Sequence, residues 1–197
     1  MKGIRTALLA TSALVAVAIA TPASAQFGCG IGAGASLING NLYSGPLAPI
    51  GISVQGQKVD PELYCGYRMG AFVLGAGGSY GHYWGDVKDL GLKSDWTAYG
   101  FLGVPMAGDA HMPYVHVGYT EIRASGLKAD GIKFGVGDRF KLSGPFSADM
   151  RYSYTQFDPD DFGLAGSGLK VNAHEFRLGL NLEFWTDGRA AAAKPLK

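Results

Sequence analysis

Residues 175–184 read EFRLGLNLEF. The even positions are Phe176, Leu178, Leu180, Leu182 and Phe184, all apolar. The odd positions are Glu175, Arg177, Gly179, Asn181 and Glu183, none of them a large apolar residue. A period of two with one greasy and one polar face is the signature of a β-strand. The segment before it repeats the pattern: Phe146, Ala148, Met150, Tyr152 and Tyr154 interleave with Ser147, Asp149, Arg151, Ser153 and Thr155. Earlier still, Ile132, Phe134, Val136, Phe140 and Leu142 interleave with Lys133, Gly135, Gly137, Arg139 and Lys141, with Asp138 the one misfit on the apolar face.

Working backwards, strands are expected at Met112–Arg123, Asp95–Met106, Ala71–Trp84, Glu62–Arg68 and Phe27–Leu37, which makes eight in all. The connections alternate in length. Short turns fall at Met69-Gly70, Gly108-Asp109 and Ser143-Gly144-Pro145. Longer polar stretches fall at Ile38–Asp60, Gly85–Lys93, Ala124–Asp130 and Asp158–Lys170. An antiparallel up-and-down barrel with tight turns at one end and loops at the other produces this alternation.

The composition narrows the classes further. The chain has 197 residues, a formal charge of +1, 31 Gly and 12% aromatic residues. That length suits one domain. Glycine is well above its usual ~7%, but without a collagen period, and the aromatic content argues against disorder. The balanced charge offers no electrostatic case for a nucleic-acid partner.

Residues 1–25 read as a secretory signal: Lys2 and Arg5, an apolar run from Ala7 to Ala20, then Ala23-Ser24-Ala25 before Gln26. No later stretch has the length of a transmembrane helix. The expected division is signal peptide at 1–25, barrel at 26–185 and a short periplasmic tail at 186–197.

A soluble barrel puts its large apolar residues inside, and a membrane barrel inverts this. Three features favour inversion. Aromatics gather near strand ends (Tyr80, Tyr83, Trp84, Trp96, Tyr119, Tyr152, Tyr154, Phe184, Trp185), as an interfacial girdle requires. The other face carries Arg68, Lys133, Arg139, Lys141, Asp149, Arg151, Glu175, Arg177 and Glu183, charges of both signs suited to a narrow lumen filled by ion pairs. The strands are also long enough for a tilted crossing. In this reading Arg151 with Asp149 and Arg177 with Glu175 stand at i, i+2 spacing on the inner face, and adjacent strands can supply cross-strand partners. These charges are structural, because eight strands leave no room for a wide channel.

The ending from Arg177 to Phe184 resembles the C-terminal assembly signal of Gram-negative outer-membrane barrels, with Arg177, Gly179, Leu182 and Phe184 at the matching places. Phe72-Val-Leu-Gly75, Pro113-Tyr-Val-His-Val-Gly118-Tyr119 and Arg151-Tyr-Ser-Tyr154 occur in the order seen in the barrel domain of opacity-type surface proteins. The resemblance implies an all-β, eight-stranded antiparallel up-and-down transmembrane β-barrel in the cell outer membrane. It also implies a monomer, with lipopolysaccharide, the barrel-assembly machinery and a host or surface ligand as partners. The implied role is envelope integrity, adhesion or host contact through the exposed loops, chiefly Leu42, Tyr43, Leu47 and Ile50 in the first. A narrow channel or transporter is the alternative, and a lipid-modifying enzyme a weaker one.

No residue set demands catalysis, a cofactor or a metal. His174-Glu175 has no nucleophile beside it and does not match the His-x-Ser pattern of lipid A deacylases. His82 has Asp86 and Asp89 near it in sequence, but no serine in a recognisable nucleophile turn. His116 is expected in the lumen. Asp158, Asp160 and Asp161 lack the spacing of a calcium loop and read as a solvated surface. Gly75-Ala-Gly77-Gly78 is not followed by the residues of a phosphate loop. Cys29 and Cys65 lie at similar depth on hairpin neighbours, and two outcomes stay open: a disulfide, or two small apolar side chains facing lipid.

Overall fold

The computed structural model describes residues 26–44, 48–84, 91–124, 127–162 and 169–185. They form eight strands: β1 (Gln26–Ser44), β2 (Ala48–Met69), β3 (Phe72–Trp84), β4 (Leu92–Gly103), β5 (His111–Ala124), β6 (Leu127–Ser143), β7 (Phe146–Phe157) and β8 (Leu169–Trp185). Each strand pairs antiparallel with its sequence neighbours, and β1 pairs with both β2 and β8, so the sheet closes into a barrel. A 3-10 turn, Pro159–Phe162, follows β7.

Alternation puts the greasy face outside. Leu180 is 65% exposed, Ile132 and Val136 are 55%, and Val117 is 60%. Residues one step along are buried: Asn181 beside Leu180, Lys133 beside Ile132 and His116 beside Val117, with Asp149, Arg151 and Arg177 buried on the same inner face. An exterior of this kind is unstable against water and stable against hydrocarbon. The chain is therefore a transmembrane β-barrel.

Several strand glycines lie on the inner face and serve a steric purpose. Tyr64 lies over Gly30, Phe101 over Gly75, Tyr99 over Gly77 and Tyr114 over Gly137, so a Cβ at any of these glycines would run into the ring. The rings gather with Val73 and Met112 into an apolar cluster at the turn end of the lumen, closed below by Trp185. Gly70, Gly108 and Gly144 take positive φ in the short turns (58°, 68° and 55°). In the middle turn Asp109 shares that left-handed region at φ 71°. Its carboxylate is held by Arg68 at 2.6 Å.

The structure corrects several expectations. Most of 38–60 is not a loop, because β1 runs to Ser44 and β2 starts at Ala48. Leu42, Tyr43 and Ile50 therefore lie in strands, while Leu47 falls outside the described residues. Most of the expected third loop is also strand, since β5 reaches Ala124 and β6 begins at Leu127. Two supposed girdle aromatics point inward: Tyr83 is buried, and Trp185 packs against the inner cluster. The segments expected as signal peptide (1–25) and tail (186–197) fall outside the described residues, as do Asp86 and Asp89.

Cys29 and Cys65 are direct partners in the β1–β2 register and are joined by a disulfide. It closes a sequence separation of 36 residues, for which chain entropy gives about 3–4 kcal/mol. Reduction should slow the unfolded band on a denaturing gel and lower the urea midpoint. An unchanged band together with two titratable thiols in the unfolded, unreduced protein would rule the bridge out.

Candidate functional site

The barrel interior is the candidate site, and it is built from side chains on alternate positions of all eight strands. Arg177 on β8 is its centre. Nε lies 3.0 Å from Asp60, Nη2 2.8 Å from Glu62 and Nη1 3.1 Å from Asp149. Arg151 on β7 reaches Glu62 at 2.7 Å and Asp149 at 3.3 Å. Arg139 on β6 lies 3.4 Å from Glu183 and 3.7 Å from Asp149. Nearer the loop end is a second group. Lys58 pairs with Asp95 at 2.8 Å and Glu175 at 3.2 Å, while Lys133 pairs with Glu175 at 2.6 Å. Ser36 donates to the same Glu175 carboxylate at 2.9 Å.

Tyrosines tie this network to the apolar cluster. Tyr64 donates to Glu183 at 2.7 Å, Tyr114 to Asp149 at 2.7 Å, and Tyr99 to Glu62. Each ring packs in the cluster while its hydroxyl satisfies a carboxylate. The cations close the arrangement from the other side. The Arg139 guanidinium lies 3.9 Å from the centre of the Tyr64 ring, and Arg151 lies 4.9 Å from that of Tyr99. In a ring of eight, β6 and β2 stand diametrically opposite, so the Arg139–Tyr64 contact spans the lumen. His116 lies in the same interior, 3.3 Å from the Ser153 hydroxyl and edge-on to Tyr99.

Placement differs from the sequence expectation at several points. Lys133, Arg139, Asp149, Arg151, Glu175 and Arg177 are buried in the interior, and Glu183 lies at its turn-end margin. Lys141 is exposed beyond the turn end of the lumen, and Arg68 engages Asp109 of the neighbouring turn. Outside the membrane span, that hydrogen bond holds the Arg68 pKa above its ordinary value. Arg177 does not pair with Glu175. Side chains two apart on a strand lie about 6.5–7 Å apart along it, and both residues find closer partners across strands. Sequence reasoning missed Lys58, Asp60, Glu62 and Asp95. The first three alternate with Val59, Pro61 and Leu63, a period-two signal interrupted by a proline and set in a polar stretch.

Asp138 has an answer in its neighbour. It points outward near the turn end, 3.3 Å from His111 Nδ1 on β5, with the His111 ring stacked on Phe140. Near the loop end, Asp161 accepts from the Asp130 backbone and Asp158 from that of Asp160. These carboxylates bind the chain to itself. No group of three or more potential metal ligands occurs among the described residues.

Leu182 and Phe184 of the assembly-signal pattern face outward, Phe184 with 57% exposure, while Arg177 and the inward-facing Gly179 are in contact. Replacing Arg177 by Met should cost about 3–5 kcal/mol, since three carboxylates lose a shared partner. Lys141→Ala should shift stability by less than about 0.5 kcal/mol. Urea titration of the refolded barrel measures both. Equal effects of the two substitutions would mean that the interior network contributes nothing.

No protein-family model matches the chain, and no curated protein does. Among solved structures it is similar to Neisserial surface protein A, at 14% identity and a TM-score of 0.48, covering 79% of this chain and 97% of that one. It is similar to Ail, the attachment invasion locus protein of Yersinia pestis, at 13% identity and a TM-score of 0.48, covering 80% and 98%. A third similar structure is the outer membrane enzyme PagL, at 13% identity and a TM-score of 0.43, covering 76% and 98%. The closed eight-stranded barrel itself stands on this chain's own strand register.

Proposed function

We propose that this chain is a monomeric outer-membrane barrel whose role is structural and surface-directed, neither a conductor of solutes nor an enzyme. The observation that carries this reading is the contact of Arg139 with Tyr64 across the full width of the lumen. Above that contact lie the Arg177 and Lys58 groups, so a solute crossing the barrel would have to part several buried ion pairs in series. Opening even one by removing a partner costs about 3–5 kcal/mol.

What remains for function is the outside. β1 has 19 residues and β2 has 22, against 12 in β4 and β7. A tilted crossing takes about 9–11 residues. The β1–β2 hairpin therefore stands well clear of the belt, and in this reading it projects from the cell surface. Adhesion or host contact belongs to that hairpin, around Leu42, Tyr43, Leu47 and Ile50. β8, with its apolar outward row closing on Phe184, is read as the segment handed to the assembly machinery.

The test is fractionation with and without heating, followed by planar-bilayer recording. The expected outcome is outer-membrane recovery, faster migration of the unheated protein, and no unitary current. Soluble recovery would overturn the membrane assignment, and reproducible conductance steps would favour the channel reading.

A further inference from the structure

On the outer face at the loop end, the row above the apolar belt is not featureless. Leu37, Asn39, Gln55, Gln57, His174 and Phe176 line a groove of about 510 Å³ on the outer face. That is within the ~300–1,000 Å³ range of small-molecule sites. Strand pairing brings them together: Asn39 stands between His174 of β8 and Gln55 of β2, one pleat above Leu37, which stands between Phe176 and Gln57. Two hydrogen bonds fix its sides. Tyr152 Oη and His174 Nδ1 are 2.6 Å apart, and Trp84 Nε1 donates to Gln57 at 2.9 Å. In the tautomer whose Nδ1 accepts from the tyrosine hydroxyl, the second ring nitrogen of His174, Nε2, carries the proton.

Polarity is graded from the groove to the strand above it. Along the outward row of β8, Phe176 is apolar and His174 polar within the groove; beyond its lining, Asn172 is polar and Lys170 is an exposed cation. Successive steps rise about 6.5–7 Å. An amphiphile lying against the barrel would meet apolar surface first, then neutral donors and acceptors, then a positive charge. A glycerophospholipid carries its phosphate close to the acyl ester linkage, where the groove has amides and imidazole in place of cations. An acylated amino sugar has the matching order: hydrocarbon chain, amide and hydroxyl groups, then phosphate on the sugar. The aromatic residues Trp84 and Tyr152 stand at the two ends of the cross-strand row through Gln57, Leu37 and Phe176, residues of the kind found where hydrocarbon gives way to headgroups.

We infer that this groove is a binding site for one phosphorylated, acylated amino-sugar lipid of the outer leaflet, the glycolipid anchor of lipopolysaccharide. Asn39, Gln55 and His174 hold its amide and hydroxyl groups, Leu37 and Phe176 its first acyl chain, and Lys170 its phosphate. The inference rests on the outer-membrane reading given above, and its test is separable from that reading. Purified, refolded protein in detergent is titrated with lipopolysaccharide, and separately with phosphatidylethanolamine–phosphatidylglycerol micelles, with retained lipid read by mass spectrometry.

The wild-type chain should retain the glycolipid in preference to the phospholipids. The combined Asn39→Leu, Gln55→Leu and His174→Phe variant should lose affinity for it by about tenfold or more. Its unheated mobility and phospholipid retention should not change. The single His174→Phe variant, which keeps a ring against Tyr152, serves if the triple variant does not refold. Lys170→Ala should weaken retention of the phosphorylated lipid and leave that of its dephosphorylated form unchanged. Lys128→Ala, exposed on β6 away from the groove, is the control. Undiminished glycolipid binding by a folded groove variant, or a wild-type preference for phospholipid, would overturn the site. Failure of the native protein to reach the outer membrane would instead count against the reading above, and fractionation reports that independently.

Discussion

A charge taken out of water costs several kcal/mol unless something nearby replaces the water, and the interior of this barrel is dense with such charges. Arg177 and Lys58 are 1% exposed, Asp149 1% and Asp60 2%. Each is answered by an opposite charge, and Asp149 is also answered by the Tyr114 hydroxyl. Much of the remaining sequence follows from this requirement. Tyrosine serves where phenylalanine would not, because Tyr64, Tyr99 and Tyr114 must pack a ring and satisfy a carboxylate together. Glycine sits beneath these rings because an eight-stranded ring is just wide enough for the side chains that fill it.

The outer face obeys the opposite rule. Backbone polar groups are satisfied within the closed sheet, so the exterior can be apolar without penalty in lipid. Departures from that rule are few and local. Asp138 is tolerated near the turn end because His111 stands beside it. At the loop end the polar row of Asn39, Gln55 and His174 marks where the belt stops. Past it lies the Glu121 cluster. Partial burial pushes the Glu121 carboxyl up, yet Arg123 and Lys128 beside it hold it below the usual carboxylate range.

Legibility in the sequence varied with amphipathic contrast. β6, β7 and β8 were readable because their two faces differ sharply over ten or more residues. The upper arms of β1 and β2 were not, since beyond the belt both faces can be polar and the period of two carries no signal. Asn39, Asn41, Gln55 and Gln57 look like a loop for that reason. Tyr83 and Trp185 show a different limit. An aromatic at a strand end has the same appearance whether it fills a lumen or meets a membrane interface. Partner choice in the interior was hidden too, because Arg177 meets Asp60 and Glu62 from a strand more than a hundred residues earlier.

The seam between β1 and β8 has one further consequence. A strand that slips by two residues keeps every apolar side chain on the correct face, so hydrophobicity alone does not distinguish the true closure from its nearest errors. The charges do. Sliding β8 by two residues along β1 would set Gly179 or Glu175 where Arg177 meets three carboxylates, taking from Asp60 the cation it pairs with and leaving Glu62 and Asp149 to Arg151 and Arg139, or adding a fourth anion. The buried network thus acts as a vernier on the greasy alternation, which by itself reads position only modulo two. The strand that closes the barrel against β1 carries the mark that identifies the correct notch.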